Sequence, residues 1–362
     1  MQLKDKKINV LIISYFFQPD KVVGALRTSY WYNKFMREDN FEVQVITSNI
    51  DAKGDGVYVV EQKSKFKWYN LIKDLGLLWR KQLSIFFNKN IIAKPDVVII
   101  SGSPFLHFDI GIELKKKFNC KILLDYRDPF ADNPGFNSSI IKKKVKLFYE
   151  KRFNKYVDGL ITVNDFCASL IHGFNSKRNL IVQNGYDETF QPILKKIDRA
   201  NLSFCYTGKF YFDPSPIIKS IHQLNLSLTY VGPSLIDSSE GFVNSGFVDY
   251  KESVNIIANS DVGIIQTYGE DFQSTTKIFD YLRCRKIILI VSDLYMNQGS
   301  IHEELKNYPN VYWSKNNQES IIEVLKEIQI TNYVSPEKGF EERFSREFQY
   351  DKLVKFINEI ND

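Results

Sequence analysis

The stretch Glu270-Asp271-Phe272-Gln273-Ser274-Thr275-Thr276-Lys277-Ile278-Phe279-Asp280-Tyr281-Leu282 concentrates the residue types best able to do chemistry in this chain. Ser274, Thr275 and Thr276 are N-cap types, so a helix is expected to begin there. The free N–H groups and the positive dipole end of such a helix suit a diphosphate. Lys277 and Asp280 are three apart and share a helix face. A cation for phosphate and a carboxylate for ribose hydroxyls would then stand one turn apart. A capped helix with a local Lys–Asp pair fits the same spacing, and on spacing alone both readings stay open.

Other candidates follow strand-like runs. Gly24 opens a helical pattern, where a residue without a Cβ lets backbone approach a phosphate or sugar closely. Arg27, in the first turn, either reaches an anion or lies on the surface. Ser103 belongs to the loop Ser101-Gly102-Ser103-Pro104-Phe105, and His107 follows it as either a structural or a cleft residue. Asp128 stands in Leu124-Asp125-Tyr126-Arg127-Asp128-Pro129-Phe130, at a strand end, where sites in α/β sheets are expected. It could bind or deprotonate an acceptor hydroxyl. Arg127 would hold Asp128 ionised, clamp a phosphate, or pin the loop through an Arg–Asp bridge.

The elements that must position these residues alternate along the chain. Ile8-Asn9-Val10-Leu11-Ile12-Ile13-Ser14 reads as a buried strand, and residues 25–37 follow with helical spacing. Further strand-like runs cover 41–47, 96–101, 121–125, 159–163 and 180–184. After a polar segment at 191–201, the candidate linker, the pattern restarts at 202–206 and continues through 226–231, 261–266, 286–292 and 310–313. Short apolar runs alternating with helices indicate buried parallel strands. The expected fold is α/β, with two Rossmann-like doubly wound domains facing across a cleft. Their expected bounds are 1–190, with a C-terminal helix at 343–362 packing back, and 200–342.

Composition narrows the function. The chain has 362 residues, which suits two domains, and 28 Phe with 20 Tyr argue against disorder. A net charge of +5 is too small to indicate nucleic acid. Cys120, Cys167, Cys205 and Cys284 form no Cys-x-x-Cys pair, so neither a zinc nor a redox motif is indicated. No Gly-x-Gly-x-x-Gly follows the first strand, and Gly208-Lys209 is followed by Phe210, which rules out a Walker loop. No Asp-x-Asp pair occurs. Its absence favours diphosphate binding by cations and helix termini, and no metal or other cofactor is expected. With no signal peptide expected and no run near the roughly 18 apolar residues of a spanning helix, a soluble cytoplasmic protein is expected. The aromatic, lysine-rich region 63–94 admits a peripheral inner-membrane contact or a helix packed on the first sheet.

The motif ending in Lys277-Ile278-Phe279-Asp280-Tyr281-Leu282, followed by Arg283-Cys284-Arg285-Lys286-Ile287-Ile288, resembles the C-terminal donor motif of family 4 glycosyltransferases. These are retaining, nucleotide-sugar-dependent enzymes of the GT-B fold. The closing carboxylate of that motif binds the donor ribose, a role that the resemblance carries to Asp280, although Glu is usual. A second Glu often stands eight positions earlier. Phe272 stands there in this chain, and Glu270 or Asp271 would have to substitute.

Other segments agree in order, from Ile8 to about Ser292. Residues 15–27 resemble the loop after the first strand, and the Ser103 loop resembles one that lines the cleft. Asp125-Tyr126-Arg127-Asp128-Pro129-Phe130 is similar to a pattern of one branch of the family. Tyr206-Thr207-Gly208-Lys209 matches the strand end at which a cation meets the diphosphate, which gives that role to Lys209. Gly246-Phe247-Val248 resembles the segment whose backbone reads the donor base. The resemblance implies transfer of a sugar, with retention, to a glycan or polyprenyl-linked acceptor in bacterial polysaccharide assembly. Lys209 and Lys277 would stabilise the leaving diphosphate. A non-catalytic homologue that organises an assembly, and a nucleotide-sugar 2-epimerase, are the alternatives.

Overall fold

The computed structural model describes residues 7–20, 22–63, 65, 72–90, 92–135, 138–233, 241–268 and 275–361. Glu270, Asp271, Phe272 and Ser274 lie outside the described residues, as do Phe66, Trp68 and Tyr69 of the aromatic basic region. The chain forms two compact units, Met1–Gln183 with Tyr350–Asp362, and Asn184–Gln349.

The first unit carries β1 (Ile8–Ser14), β2 (Phe41–Thr47), β3 (Val57–Val59), β4 (Val97–Gly102), β5 (Lys121–Tyr126), β6 (Gly159–Thr162) and β7 (Arg178–Ile181). Its helices are α1 (Val23–Phe35), α2 (Leu75–Lys89), α3 (Ile110–Phe118), α4 (Ile140–Tyr156) and α5 (Asp165–Leu170). The strands pair in the order β3-β2-β1-β4-β5-β6-β7, and every pair is parallel. Strand residues alternate between two cores. Leu11, Ile13, Val98, Ile100, Ile122 and Leu124 join Trp79, Leu83 and Phe87 of α2 on one face. Val10, Ile12, Val97, Ile99 and Leu123 pack on the other face with α1 residues and with Tyr350, Leu353, Phe356, Ile357 and Ile360 near the chain's end. Burial on both faces is why these runs are continuously apolar. The Trp79, Leu83 and Phe87 stripe, at four-residue spacing, turns inward, so α2 is a packed helix.

The second unit carries β8 (Ser203–Thr207), β9 (Ser227–Val231), β10 (Phe242–Asn244), β11 (Val262–Thr267), β12 (Ile287–Ser292) and β13 (Val311–Lys315). Its helices are α6 (Ser215–Gln223), α7 (Tyr250–Asn259), α8 (Lys277–Arg283), α9 (Gly299–Leu305) and α10 (Gln318–Ile330), and α11 (Arg346–Asn361) closes the chain. The sheet order is β10-β9-β8-β11-β12-β13, again all parallel. Cys205, Ile265, Ile288 and Ile290 face α7, α8 and α9 residues. Phe204, Val262, Ile264, Leu289 and Val291 face α6 and α10. Asp249 and Asn317 cap α7 and α10 by accepting amides of the first turn.

Three expectations are corrected. β3 and β10 are absent from the strand pattern read in the sequence; each has three residues and lies at a sheet edge, too short for a period to show. Residues 191–201 do not separate the units. The division falls at Gln183 and Asn184, and the segment is held inside the second unit, where the Lys195 amide donates to Ala258 O at 3.1 Å and the Asp198 amide to Asp261 at 2.9 Å. Arg27 does not lie on the surface, and its charge is met within the fold. It is buried, 2.9 Å from buried Asp125, and also donates to the Val182 carbonyl. Ser101 Oγ donates to the second Asp125 oxygen at 2.8 Å. The inner face of α1 points Arg27 at the sheet, where the Asp125 carboxylate at the end of β5 compensates its charge.

This pair ties α1, β4, β5 and the segment after β7. Arg27→Met leaves Asp125 buried without its cation and should cost about 3–5 kcal/mol in urea unfolding. Arg27→Met combined with Asp125→Leu should regain most of that loss. A single variant within about 0.5 kcal/mol of wild type would show that the pair is not a structural tie.

Candidate functional site

In a parallel sheet, a ligand crevice opens where the strand order reverses, beyond the carboxyl ends of the strands. In the second unit that point lies between β8 and β11. These two strands pair only through Phe204 with Val262 and Cys205 with Gly263, although β11 runs on to Thr267. Tyr281 of α8 packs on this side. Its hydroxyl donates to Ile264 O at 3.1 Å, and its ring covers Gly263, where a Cβ would come within 2.6 Å. The loops after β8 and β11 therefore leave the sheet at its switch point, and Gly208, Lys209 and Lys277 are on them or just beyond.

Gly208 has φ +94°, a conformation that favours glycine, and a Cβ there would lie 2.8 Å from Lys277 Cε. Its amide donates to Val231 O at 2.6 Å. Gly208 thus makes room for the Lys277 side chain. The Lys277 ammonium lies 4.2 Å from the Tyr206 ring centroid and 5.4 Å from that of Tyr211, and donates to the Tyr206 hydroxyl at 3.0 Å. No carboxylate among the described residues pairs with it. Burial lowers its pKa from 10.5 to about 7, although part of the side chain still meets solvent. Lys209 is exposed beside it.

One turn along α8, the Asp280 carboxylate accepts the Tyr250 hydroxyl at 2.7 Å. Burial pushes its pKa up to about 6, opposed by that hydrogen bond and by the charges of Arg346 and Arg283. A local Lys277–Asp280 ion pair, the simplest reading of the three-residue spacing, is not formed. Thr275 is buried, and Thr276 at the N-cap makes no side-chain capping bond, contrary to the capped start expected from sequence. With seven residues, α8 has a weak dipole. Phe247 is exposed and Val248 half-buried, after Gly246, whose φ is +65° and which has no atom within 4 Å of a built Cβ. The Gly232 amide donates to Gly246 O at 2.9 Å, which brings this segment to the end of β9.

An aromatic ledge not foreseen from the sequence borders Lys277. Phe210 stacks between Tyr206 and Tyr230, with centroids at 4.3 and 4.6 Å. The Tyr268 hydroxyl donates to Tyr211 O at 2.9 Å. The run Lys209-Phe210-Tyr211-Phe212 after a strand was the available signal. Tyr250 and Arg283 carried no sequence signal. Arg283 is 6% exposed, its guanidinium lies over the rings of Tyr186 at 5.2 Å and Phe190 at 5.9 Å, and its nitrogens have no hydrogen-bond partner among the described residues.

In the first unit the switch point lies between β1 and β4. Gly24 begins α1 where a Cβ would sit 2.5 Å from Arg127 Nη1, so the room it makes is taken by a side chain of this unit. Arg127 donates to Gly102 O and, at 3.1 Å, to Ser103 O. It pins the loop after β4 rather than bridging Asp128, which stands exposed. Of the two roles the sequence leaves open for His107, its surroundings are those of the structural one. Its ring is fully buried, 5.0 Å from Trp79 and 5.4 Å from Phe108, and burial drives its pKa down to about 3. It is a neutral core residue. The short helix Leu106–Asp109 turns it inward, where Gly76 of α2 leaves space. Ser103 lines a cavity of about 480 Å³ with Lys73, Phe105, Phe130, Lys142 and Lys146. Among the described residues no cluster of His, Cys, Asp or Glu could hold a metal ion, and no helix is long and apolar enough to cross a membrane.

No family model matches the chain, and no curated protein matches it. Solved structures do. Sucrose-phosphate synthase from Thermosynechococcus elongatus superposes with a TM-score of 0.69 at 12% identity, over 98% of this chain and 99% of that one. HepE of Anabaena in complex with UDP-glucose gives 0.64 at 11%, over 97% and 100%. The lipopolysaccharide outer core galactosyltransferase WaaB, in its apo form, gives 0.63 at 12%, over 97% and 99%. The likeness shows the fold, two doubly wound α/β domains of the GT-B type.

The Lys277 amine carries a testable cost. Its pKa lies below the unfolded value, so the charged form strains the fold. The strain is absent above pH 10.5, grows as pH falls, and is complete below about 7. Lys277→Met should therefore be more stable than wild type at pH 6, by about 1 kcal/mol after solvent screening, and lose that advantage near pH 10.5. Urea midpoints across the range check this. A variant less stable than wild type at pH 6 would show that the ammonium is well accommodated.

Proposed function

We propose that this chain is a glycosyltransferase that binds a nucleotide-sugar in its second unit and passes the sugar to a glycan or polyprenyl-linked acceptor. The observation that carries the reading is Lys277: an amine without a carboxylate partner among the described residues, at the β8–β11 switch point, packed on Tyr206 beside Gly208. Such a group lacks a counter-anion, and a diphosphate would supply one. Asp280, one turn away and held by Tyr250, offers acceptors for ribose hydroxyls. Lys209 would add a second charge, and the backbone at Phe247 and Val248 would meet the base. Similarity of fold to proteins solved with UDP-glucose or UDP supports a nucleotide-sugar donor.

In this reading Lys209 and Lys277 stabilise the charge that grows on the departing diphosphate, and Asp128, exposed in the first unit, binds and orients the acceptor hydroxyl. The resemblance to family 4 implies retention, with the departing diphosphate taking the acceptor proton, and a setting in polysaccharide assembly.

The test is a thermal-shift screen of UDP, GDP, ADP, CMP and their common sugar conjugates against wild type and Lys277→Ala. One nucleotide should raise the melting point of wild type and not of the variant. Stabilisation of neither sinks the donor site. Because the free amine has a pKa of about 7, anion binding at pH 8 should take up a proton at Lys277. Affinity should weaken by up to about tenfold per pH unit above 7, and calorimetry in two buffers of different ionisation heat reads the uptake. Nucleotide-sugar turnover with no acceptor would move the reading to an epimerase. Tight binding without turnover across acceptors would move it to an assembly protein.

A further inference from the structure

Helix α4 is anchored by one half only. Its fully buried residues are Glu150, Phe153 and Asn154. Glu150 accepts the amides of Ala131 at 3.1 Å and His172 at 2.8 Å, and Asn154 accepts the Tyr126 hydroxyl at 2.8 Å. The first half has no fully buried residue. There Ile140 is 75% exposed and Ile141 66%, and Phe148 follows at 62%.

At about 100° per residue, Ile141 and Phe148 project within roughly 20° of each other, and Lys144, Lys151 and Lys155 fall on the same outward side. Glu150, the helix's lone carboxylate, is buried on the other side. Lys143 and Arg152 are paired with Asp132 and Asp109. Lys144, Lys151 and Lys155 have no carboxylate partner among the described residues. The outward face thus interleaves bulky apolar side chains with uncompensated cations. On the adjacent flank, Lys142 and Lys146 line the 480 Å³ cavity with Phe105 and Phe130, and the Lys146 ammonium lies 5.5 Å from the Phe130 ring.

We propose that the outward face of α4 docks on an anionic lipid surface. Apolar residues flanked by lysines match the acyl–headgroup boundary, where each type is satisfied at its own depth. Charge complementarity selects this occupant. A second copy would set lysine against lysine, and an uncharged apolar partner would leave three cations without counter-charge. The proposal does not depend on the donor site.

The test is flotation of the full chain with phosphatidylcholine vesicles, with and without phosphatidylglycerol. Binding should require phosphatidylglycerol and weaken as salt rises. Replacing Lys144, Lys151 and Lys155 by Gln should lower partitioning by roughly a hundredfold. Ile141→Glu with Phe148→Glu should lower it by about tenfold or more. All five positions are at the surface, so circular dichroism and melting points should match wild type. No binding to either vesicle, equal binding to both, or variants that bind like wild type would overturn the proposal. So would a dimer in sedimentation equilibrium that the Glu variant dissociates, since the face would then belong to a second copy.

Discussion

Parallel pairing is the constraint on which the rest of this molecule depends. Every strand pair in both sheets is parallel. Each connection must then cross back over a face, so helices cover both faces and the strands become apolar throughout. The same rule brings all carboxyl ends of a sheet to one edge. Loops that are distant in sequence meet there without any loop having to be long. Gly208 and Lys277, at i and i+69, come together because β8 and β11 are neighbours across the strand-order reversal.

Within that frame, the charged residues are treated in three ways. Arg27 is buried and neutralised by Asp125, a structural use of charge. Arg283 is buried against aromatic faces and, among the described residues, without hydrogen-bond partners, so its charge reaches Asp280 through a low-dielectric medium. Lys277 is only partly enclosed, and burial drives it toward neutrality at ordinary pH. A strained, reachable amine next to a glycine that yields space is an arrangement expected of a binding group more than of a stability element.

The aromatic ledge explains how that amine is held. Tyr206, Phe210 and Tyr230 stack, and the Tyr206 hydroxyl donates to Lys209 O at 2.9 Å while accepting from Lys277. The ring supplies a negative face to the ammonium in place of a carboxylate. It confers attraction without cancelling the charge, which leaves the cation available to an anion.

The sequence by itself determined the α/β class, eleven of the thirteen strands among the described residues and the placing of the candidate residues at strand ends, because a strand buried on both faces must be written as a short apolar run. It also marked Lys277, Asp280 and Gly208 by type and spacing. Tertiary structure alone decided what those residues touch. Spacing left a Lys277–Asp280 pair open, but packing sends the lysine to Tyr206 and the aspartate to Tyr250. The sequence left Arg27 open between an anion contact and the surface, and His107 between a structural and a cleft role; packing turns both inward, where one finds Asp125 and the other Trp79. A local pattern records which residue types a segment offers. Which way each side chain points, and what meets it there, depends on partners dozens of residues away, and these exist only once the sheets have formed.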